Sequence, residues 1–194
     1  MKLQLQPTLE NELVKLVPLK IDVFEKLYLV ASDPLIWEQH PNKFRYQREV
    51  FEIFFKGAIE SQGALLIQNK DTNELIGTSR FYNLDEINCS VYIGYTFLAR
   101  KYWGKNYNFS VKKLMLDHAF KSLDKVIFQI GACNIRSQKA IEKLGAVKIG
   151  EENVAYVGET NTLNFTYQIE RSNWLDNINP NSDHHNVILT NSNI

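Results

Sequence analysis

The spacing of the hydrophobic residues changes at Gly63, and this change restricts the possible folds more than any other feature of the sequence. Before Gly63, residues 23–32 and 48–63 carry apolar side chains three and four positions apart, which predicts two amphipathic helices. After it, runs rich in β-branched and aromatic residues are separated by short polar turns, which predicts an antiparallel meander. The predicted strands cover 63–69, 75–83 and 89–98, and an earlier strand covers 12–19.

The second half of the chain alternates between helical and strand patterns. A helix over 106–122 is followed by a continuous apolar strand over 125–132, and a second helix covers 134–145. A strand, a helix and a further strand in this order predict a parallel crossover whose helix covers one face of the sheet. Two closing strands are predicted over 146–153 and 162–170.

The long helix has an apolar stripe, and its charged residues are predicted on the opposite side. The stripe consists of Tyr107, Val111, Leu114, Met115, His118 and Ala119. The polar, solvent-facing side consists of Lys112, Lys113, Asp117 and Lys121. Because His118 belongs to the apolar stripe, we expect it to pack against the core and to have no catalytic role.

Length and composition favour one ordinary domain. The 194 residues are 44% apolar, which is enough for a real core. A formal net charge of +0 disfavours a general nucleic-acid binder. The N-terminal stretch MKLQLQPTLENEL lacks a long apolar segment, so we expect no signal peptide or membrane span, and a cytoplasmic location. Cys89 and Cys133 lie in apolar runs without zinc spacing and are predicted to be buried, reduced thiols.

Composition also divides the chain into three parts. We predict a mobile N-terminal arm over 1–11, a single domain over 12–176, and a flexible, asparagine-rich C-terminal tail over 177–194. The tail contains the adjacent histidines His184 and His185, but two neighbouring histidines without further ligands are a weak metal site. No metal is therefore expected.

A basic, aromatic loop leads into the long helix through Gly104. The free N–H groups and the positive dipole end of a helix N-terminus can hold a phosphate without any obligatory side chain. Gly104 lets the backbone approach a ligand closely, and Asn106 tolerates left-handed dihedrals better than most residues. Arg100, Lys101 and Lys105 add positive charge. The alternative is a basic turn whose glycine serves geometry alone, and the loop by itself favours that alternative.

Two motifs in order resemble those of the GNAT superfamily of acyl-CoA-dependent N-acetyltransferases. The first runs from Lys101 to Asn106 as KYWGKN, where the family has Arg/Gln-x-x-Gly-x-Gly/Ala. The second runs from Asn134 to Gly145 as NIRSQKAIEKLG, where the family has Asn-x-x-Ser and then Ala-Ile-x-x-x-Gly. The resemblance covers about residues 12–175 and is closest to the ribosomal-protein-alanine acetyltransferase branch (RimJ/RimL-like). The chain differs at Asn106, which replaces the second small residue.

The resemblance implies an α/β (α+β) fold with a mixed, mostly antiparallel central sheet. The sheet would have six to seven strands, splay open beside the strand 89–98, and be flanked by about four helices. It also implies that acetyl-CoA binds as co-substrate in this opening, with its pantetheine arm along the strand and its pyrophosphate on the loop. The implied binding residues are Thr96, Phe97, Leu98, Lys101, Tyr102, Trp103, Gly104, Lys105, Asn106, Tyr107, Asn108, Asn134 and Ser137.

For the chemistry, the resemblance implies a backbone N–H, that of Thr96, as the donor that stabilises the developing oxyanion. Ser137 is the expected proton donor or hydrogen-bonding partner of the leaving thiolate, although a serine in a first helical turn is often only a local cap. Tyr92 stands where many relatives place a glutamate. It either lines the acceptor site and relays a proton, or packs as an aromatic residue on the sheet.

Other polar residues are weaker candidates for contact with the acceptor. Asp85 and Glu86 lie in the turn before the central strand, where carboxylates are usually only solvated. Glu38, His40 and Arg45 lie in the loop between the first two helices, which shapes the acceptor site in this family.

The resemblance therefore implies transfer of an acetyl group from acetyl-CoA to a primary amine of a small molecule or of a peptide or protein N-terminus. The alternative is a catalytically weak acyl-CoA-binding module that acts as a sensor or assembly component. No nucleic acid or membrane partner is expected. The aromatic residues of 51–55 belong either to the core or to the surface of a homodimer.

Overall fold

Eight strands form one sheet in the computed structural model, which describes residues 2–154 and 161–178. The strands are β1 (Leu9–Glu10), β2 (Val14–Pro18), β3 (Ala64–Asn69), β4 (Leu75–Asp85), β5 (Ser90–Leu98), β6 (Lys125–Gly131), β7 (Val147–Val154) and β8 (Thr162–Glu170). The helices are α1 (Phe24–Ala31), α2 (Arg48–Glu60), α3 (Tyr107–Ala119), α4 (Ile135–Glu142) and α5 (Arg171–Ile178). The strand order is β1-β2-β3-β4-β5-β6-β8-β7.

The sheet splits between its two central strands. All neighbouring strands pair antiparallel except β5 and β6, which are parallel. Their pairing is short, because only residues 90–92 of β5 face residues 125–127 of β6. Beyond this point β6 continues along β8 as far as Gly131, while β5 continues along β4 as far as Leu98. The two strands therefore diverge, which confirms the predicted open sheet.

Helices cover both faces of the sheet, and each face has its own hydrophobic core. On one face, α1 and α2 pack with Ala64 and Leu66 of β3. On the other, α3, α4 and α5 pack with Leu65 and Ile67 of the same strand. Alternate residues of β3 point to opposite faces, so its first four residues, 64–67, are all apolar because both faces of the sheet are buried there.

The sequence patterns predict the long elements within a few residues and miss two short ones. The strand β1 has two residues and pairs Leu9 with Leu16 of β2. The helix α5 is mostly polar and is anchored by Trp174, whose Nε1 donates to Asp117 Oδ1 at 2.9 Å. Within the described residues the sheet thus has eight strands where six to seven were predicted, and five helices where about four were predicted.

The N-terminal segment predicted as a mobile arm packs against the domain. Leu3 is buried in the core that contains α3. The side-chain amide of Gln6 donates to the Ala64 carbonyl oxygen at 3.0 Å. His118 Nε2 lies 2.8 Å from the carbonyl oxygen of Gln4, so this histidine is a packing residue as predicted. Most of the predicted tail, including its two histidines, lies outside the described residues.

The cysteines are less buried than predicted. Cys133 is exposed and Cys89 is half-buried, and both are free thiols. In residues 2–154 and 161–178, no group of three or more histidine, cysteine, aspartate or glutamate side chains is arranged to hold a metal ion. None of the helices within these ranges is long and apolar enough to cross a membrane.

The aromatic residues of α2 belong to the core between the sheet and the first two helices. Phe51 is fully buried, and its ring lies 5.8 Å from that of Phe24 and 5.6 Å from that of Tyr28 between centroids. Ile53, two residues further along α2, is 56% exposed.

We predict that Phe51→Ala lowers the free energy of unfolding by about 3–5 kcal/mol, because it removes a buried ring and leaves a cavity. Urea denaturation followed by circular dichroism would measure this loss. The matched control Ile53→Ala should change stability by no more than about 0.5 kcal/mol, because its side chain is exposed. Equal losses in the two variants would contradict the assignment of this aromatic cluster to the core.

Candidate functional site

A cavity of about 580 Å³ lies where β5 and β6 diverge. Its walls include residues 93–98 of β5 and residues 128–131 of β6. The first turn of α3 and the first turn of α4 also reach it. The divergence explains the cavity, because the inner edges of both strands lack a neighbouring strand there.

The loop before α3 adopts the left-handed backbone expected from its sequence. Asn106 is the N-cap of α3 with φ 63° and ψ 0°, and Gly104 has φ 71°. A Cβ atom on Gly104 would meet nothing within 4 Å, so the space above it is open. Asn106 makes no side-chain capping bond, and the first N–H groups of the helix have no partner within the helix. Gly104, Asn106, Tyr107 and Asn108 all line the cavity.

The basic side chains of the loop point elsewhere. Lys101 Nζ and Tyr102 Oη both lie 2.8 Å from Glu74 Oε2, and these hydrogen bonds, led by that of Lys101, lower the pKa of Glu74. Arg100 pairs with Asp33. Neither Lys101 nor Lys105 lines the cavity, although both were predicted among the binding residues. The residues of this loop that line the cavity are Tyr102, Trp103, Gly104 and Asn106, and they include no lysine.

A β-bulge in β5 brings Thr96 next to Ser79 of β4. Thr78 pairs with Phe97 and Arg80 pairs with Gly94, so Ser79 faces two residues of β5. Tyr95 in this bulge has φ 52°. The hydroxyl oxygens of Ser79 and Thr96 are 2.7 Å apart. The Thr96 hydroxyl also donates a hydrogen bond to the Gly94 carbonyl oxygen at 3.2 Å.

The first turn of α4 forms the opposite wall. Asn134 is the N-cap of α4, and its Oδ1 accepts a hydrogen bond from the Ser137 N–H at 3.2 Å. Both residues line the cavity, and the Ser137 hydroxyl makes no hydrogen bond within the described part of the chain. The guanidinium of Arg136 lies 4.0 Å from the centroid of the Trp103 ring and pairs with Glu38 at 2.6 Å. Glu38 is thus held at the cavity mouth by an ion pair.

Another part of the cavity lining is aromatic and contains a buried arginine and a half-buried histidine. Arg45 is 5% exposed, and its guanidinium lies 5.7 Å from the ring centroid of Trp37 and 5.0 Å from that of Phe54. Arg45 Nη1 is 3.2 Å from His40 Nε2. Burial, and then the positive charge of Arg45, hold the pKa of His40 well below its usual range. His40 is therefore neutral near pH 7 and already accepts a hydrogen bond.

Three further candidates from the sequence lie outside the cavity lining, as do Lys101, Lys105 and Glu38. Tyr92 packs against Tyr82, with ring centroids 5.2 Å apart, as the packing alternative predicted. Asp85 accepts hydrogen bonds from the N–H groups of its own turn, and Glu86 pairs with Lys2 at 3.1 Å. Among the described residues that line the cavity there is no aspartate or glutamate.

Lys112 is the residue that the sequence pattern placed wrongly. It was predicted on the solvent face of α3, yet it is 4% exposed and lines the cavity. Its Nζ donates to Thr96 Oγ1 at 2.6 Å and lies 3.4 Å from Ser79 Oγ. Burial lowers the pKa of Lys112 from its ordinary value of 10.5 to about 7. No regular spacing in the sequence distinguishes it from Lys113, which pairs with Asp117 at the surface.

We predict that the wild type becomes more stable as pH rises from 7 to 10 and that Lys112→Met lacks this gain. The pKa of Lys112 is about 7 in the folded protein and 10.5 in the unfolded chain. Between these two pH values the unfolded chain binds more protons than the folded protein, so the free energy of unfolding increases with pH. From pH 7 to 10 the wild type should gain roughly 4 kcal/mol relative to Lys112→Met. Urea denaturation at several pH values measures this difference. Lys113→Met should follow the wild type, and a parallel pH dependence in Lys112→Met would contradict the assigned burial of the amine.

Comparison with known proteins agrees with this architecture. The chain superposes on a probable GNAT-family acetyltransferase from Chromobacterium violaceum with a TM-score of 0.77, 16% identity, and coverage of 90% of this chain and 92% of that one. It superposes on spermidine N-acetyltransferase from Vibrio cholerae, solved with CoA and spermine, with a TM-score of 0.66 and 16% identity. This match covers 85% of this chain and 99% of the Vibrio protein. It also superposes on the microcin C7 self-immunity acetyltransferase MccE, solved with acetyl-CoA and AMP, with a TM-score of 0.70 and 15% identity. This match covers 86% of this chain and 98% of MccE.

No curated protein matches the sequence. The family model described as acetyltransferase (GNAT) domain matches residues 14–147. This range begins with β2 and extends to the start of β7, so it contains both diverging strands and both helix N-termini at the cavity. The chain therefore belongs to the GNAT acetyltransferase family.

Proposed function

We propose that the protein is an acetyl-CoA-dependent N-acetyltransferase that acts on a primary amine. The observation that carries this proposal is the cavity between β5 and β6, whose lining includes both the N-terminus of α3 and a group of aromatic side chains such as Trp37 and Tyr82. A site of this shape can take a long thioester along its axis and a separate amine at its inner end.

The residues present suit an acyl-CoA. Helix N-termini bind phosphate groups through main-chain N–H groups and the helix dipole, and the first turn of α3 has such groups beside the open space at Gly104. Beyond Tyr92, the edge of β5 that faces β6 lacks a strand partner. We infer that the amide groups of a pantetheine arm pair with this edge near Thr96 to Leu98, with Asn134 on the opposite wall.

When bound, acetyl-CoA supplies an activated acyl group. The Thr96 N–H would donate to the carbonyl oxygen as negative charge develops there, and the loss of one such donor typically costs about a hundred- to a thousandfold in rate. Ser137, whose hydroxyl makes no hydrogen bond to the described residues, would donate to the departing sulfur. Positioning of the amine against the acyl carbon would contribute much of the remaining rate gain.

The inner end of the cavity favours an acceptor without several positive charges. The described lining has no carboxylate to bind a polycation, and it contains Arg45 and the neutral His40. Flat rings at Trp37 and Tyr82 suit an apolar or planar part of the acceptor. We therefore favour an amino acid or a peptide N-terminus over a polyamine.

The same lack of a carboxylate favours one alternative. Without a carboxylate base in its described lining, the chain would be a catalytically weak acyl-CoA-binding module that acts as a sensor or assembly component. Such a protein would bind acetyl-CoA and show no amine-dependent release of thiol.

We further propose that the protein belongs to the ribosomal-protein-alanine acetyltransferase branch, is located in the cytoplasm and forms a homodimer. We also propose that the chain consists of an arm over 1–11, a domain over 12–176 and a tail over 177–194.

We predict that Gly104→Asp weakens acetyl-CoA binding about tenfold or more, because its carboxylate would stand in the open space beside the helix N-terminus and repel the phosphates. Gly104→Asn is the matched control, since asparagine has the same shape without the charge and tolerates the positive φ. Calorimetric titration with acetyl-CoA measures both affinities, and the asparagine variant should stay within about threefold of the wild type. Equal binding by all three proteins would contradict the phosphate site.

Turnover separates the two functions. The wild type would be mixed with acetyl-CoA and with spermine, single amino acids, a short peptide with a free N-terminus, or an aminoglycoside, and thiol release would be followed. Amine-dependent release identifies a transferase and its acceptor class. Tight binding of acetyl-CoA without release by any of these amines would favour the binding module.

A further inference from the structure

Lys112 is the sixth residue of α3 and lies beneath the point where the sheet opens. Its Nζ reaches the hydroxyl groups of Thr96 on β5 and Ser79 on β4, and it lies 5.8 Å from the centroid of the Phe128 ring on β6. The amine is therefore close to both diverging strands. Loss of water on burial lowers the pKa of Lys112, and no charged side chain of the described residues contributes to this shift.

A purely structural role gives no reason for an amine at this position. The Ser79 and Thr96 hydroxyls already bond to each other, and the Thr96 hydroxyl reaches the Gly94 carbonyl oxygen, so neither needs Lys112 as a partner. Burial of a charge without a counter-ion is unfavourable, whereas a methionine of similar length would fill the same space without that cost.

The position instead suits a group that exchanges protons. Burial brings the pKa of Lys112 to about 7, so both the neutral and the charged form are populated near neutral pH. A general base works best when its pKa is close to the working pH. Thr96 is half-buried and lines the cavity, and its hydroxyl therefore links the amine to the space where an acceptor would react.

We propose that Lys112 is the proton acceptor for the transfer reaction and that it acts through the hydroxyl of Thr96. This inference rests on the proposed acetyltransferase function, and it assigns a base to a cavity whose described lining contains no carboxylate. Lys112 is thus a positioning and relay residue behind Thr96.

In the proposed reaction, the proton lost by the acceptor amine moves to Lys112 through the hydroxyl of Thr96. The acceptor nitrogen forms a bond to the acyl carbon, and its surplus proton passes to Thr96 Oγ1 while the hydroxyl's own proton passes to the neutral Nζ of Lys112. The carbon–sulfur bond breaks, and the departing sulfur takes a proton from the Ser137 hydroxyl. Lys112 then gives up the proton it received, through Thr96 and water, and this proton restores the Ser137 hydroxyl, so the net products are an amide and a free thiol.

The first readout is independent of turnover. Near pH 7 about half of the Lys112 side chains carry a proton. Acetyl-CoA that fills the cavity excludes water and lowers this pKa further, so its binding should release protons. Calorimetry in buffers of different ionisation enthalpy counts them. The wild type and Lys113→Met should release up to about half a proton more than Lys112→Met.

The second readout is the pH dependence of kcat with the acceptor found among the amines tested. The wild type should gain activity as pH rises through about 7, where Lys112 becomes neutral. Lys112→Met and Thr96→Val should lose this rise and about a hundredfold or more in kcat. Thr96→Val keeps the backbone N–H and the buried amine, so it should still bind acetyl-CoA and release protons. Thr96→Ser, which restores the hydroxyl, should recover the rise with pH.

The outcomes distinguish the two proposals. A wild type that transfers acetyl groups, together with a Lys112→Met variant that keeps both the rise near pH 7 and kcat within about threefold, would overturn the role of Lys112 alone. Weaker acetyl-CoA binding in Lys112→Met with an unchanged pH profile would show a structural role and also overturn it. Binding without any transfer by the wild type would overturn both proposals.

Discussion

The short parallel pairing between β5 and β6 is the constraint on which the rest of the structure depends. Three residue pairs hold the strands together, and then each strand follows its antiparallel neighbour on the other side. Parallel neighbours require a crossover, and α3 supplies it. Because α3 starts beside the end of β5 and returns to the start of β6, its N-terminus must lie at the open end of the split. The cavity and the helix terminus therefore arise together from one topological feature.

The bulge in β5 adds the second constraint. An extra residue opposite Ser79 turns the hydroxyl of Thr96 toward β4 and toward the face covered by α3. Lys112 then meets this hydroxyl from below, in the place where the two strands have separated. A flat strand would have directed the residue at position 96 differently and left the buried amine without a connection to the cavity. Strand irregularity and buried charge thus occur at the same point, as is common at functional sites.

Much of the candidate site was predictable because its main parts are encoded locally. The left-handed backbone at Asn106 and the cap at Asn134 follow from the conformational preferences of single residues, and both are present. The roles of side chains were less predictable. Lys101 binds Glu74, 27 residues away, and Tyr92 packs against Tyr82 on the neighbouring strand, because partners on other elements compete for them. Such competition has no signature in a local motif.

The sequence by itself determined the order of the longer helices and strands, the two motifs and the family they indicate, since hydrophobic spacing and turn residues act over a few positions. Only the tertiary structure decided how much of the surface of α3 is buried beyond its apolar stripe. An apolar stripe of ordinary width along α3 predicts that Lys112 is exposed to solvent. The helix packs against two strands that have separated, however, and this wider contact surface also buries Lys112. The depth of burial, and with it the protonation of this lysine, depends on the number of elements that surround a side chain, which periodicity along one helix does not contain.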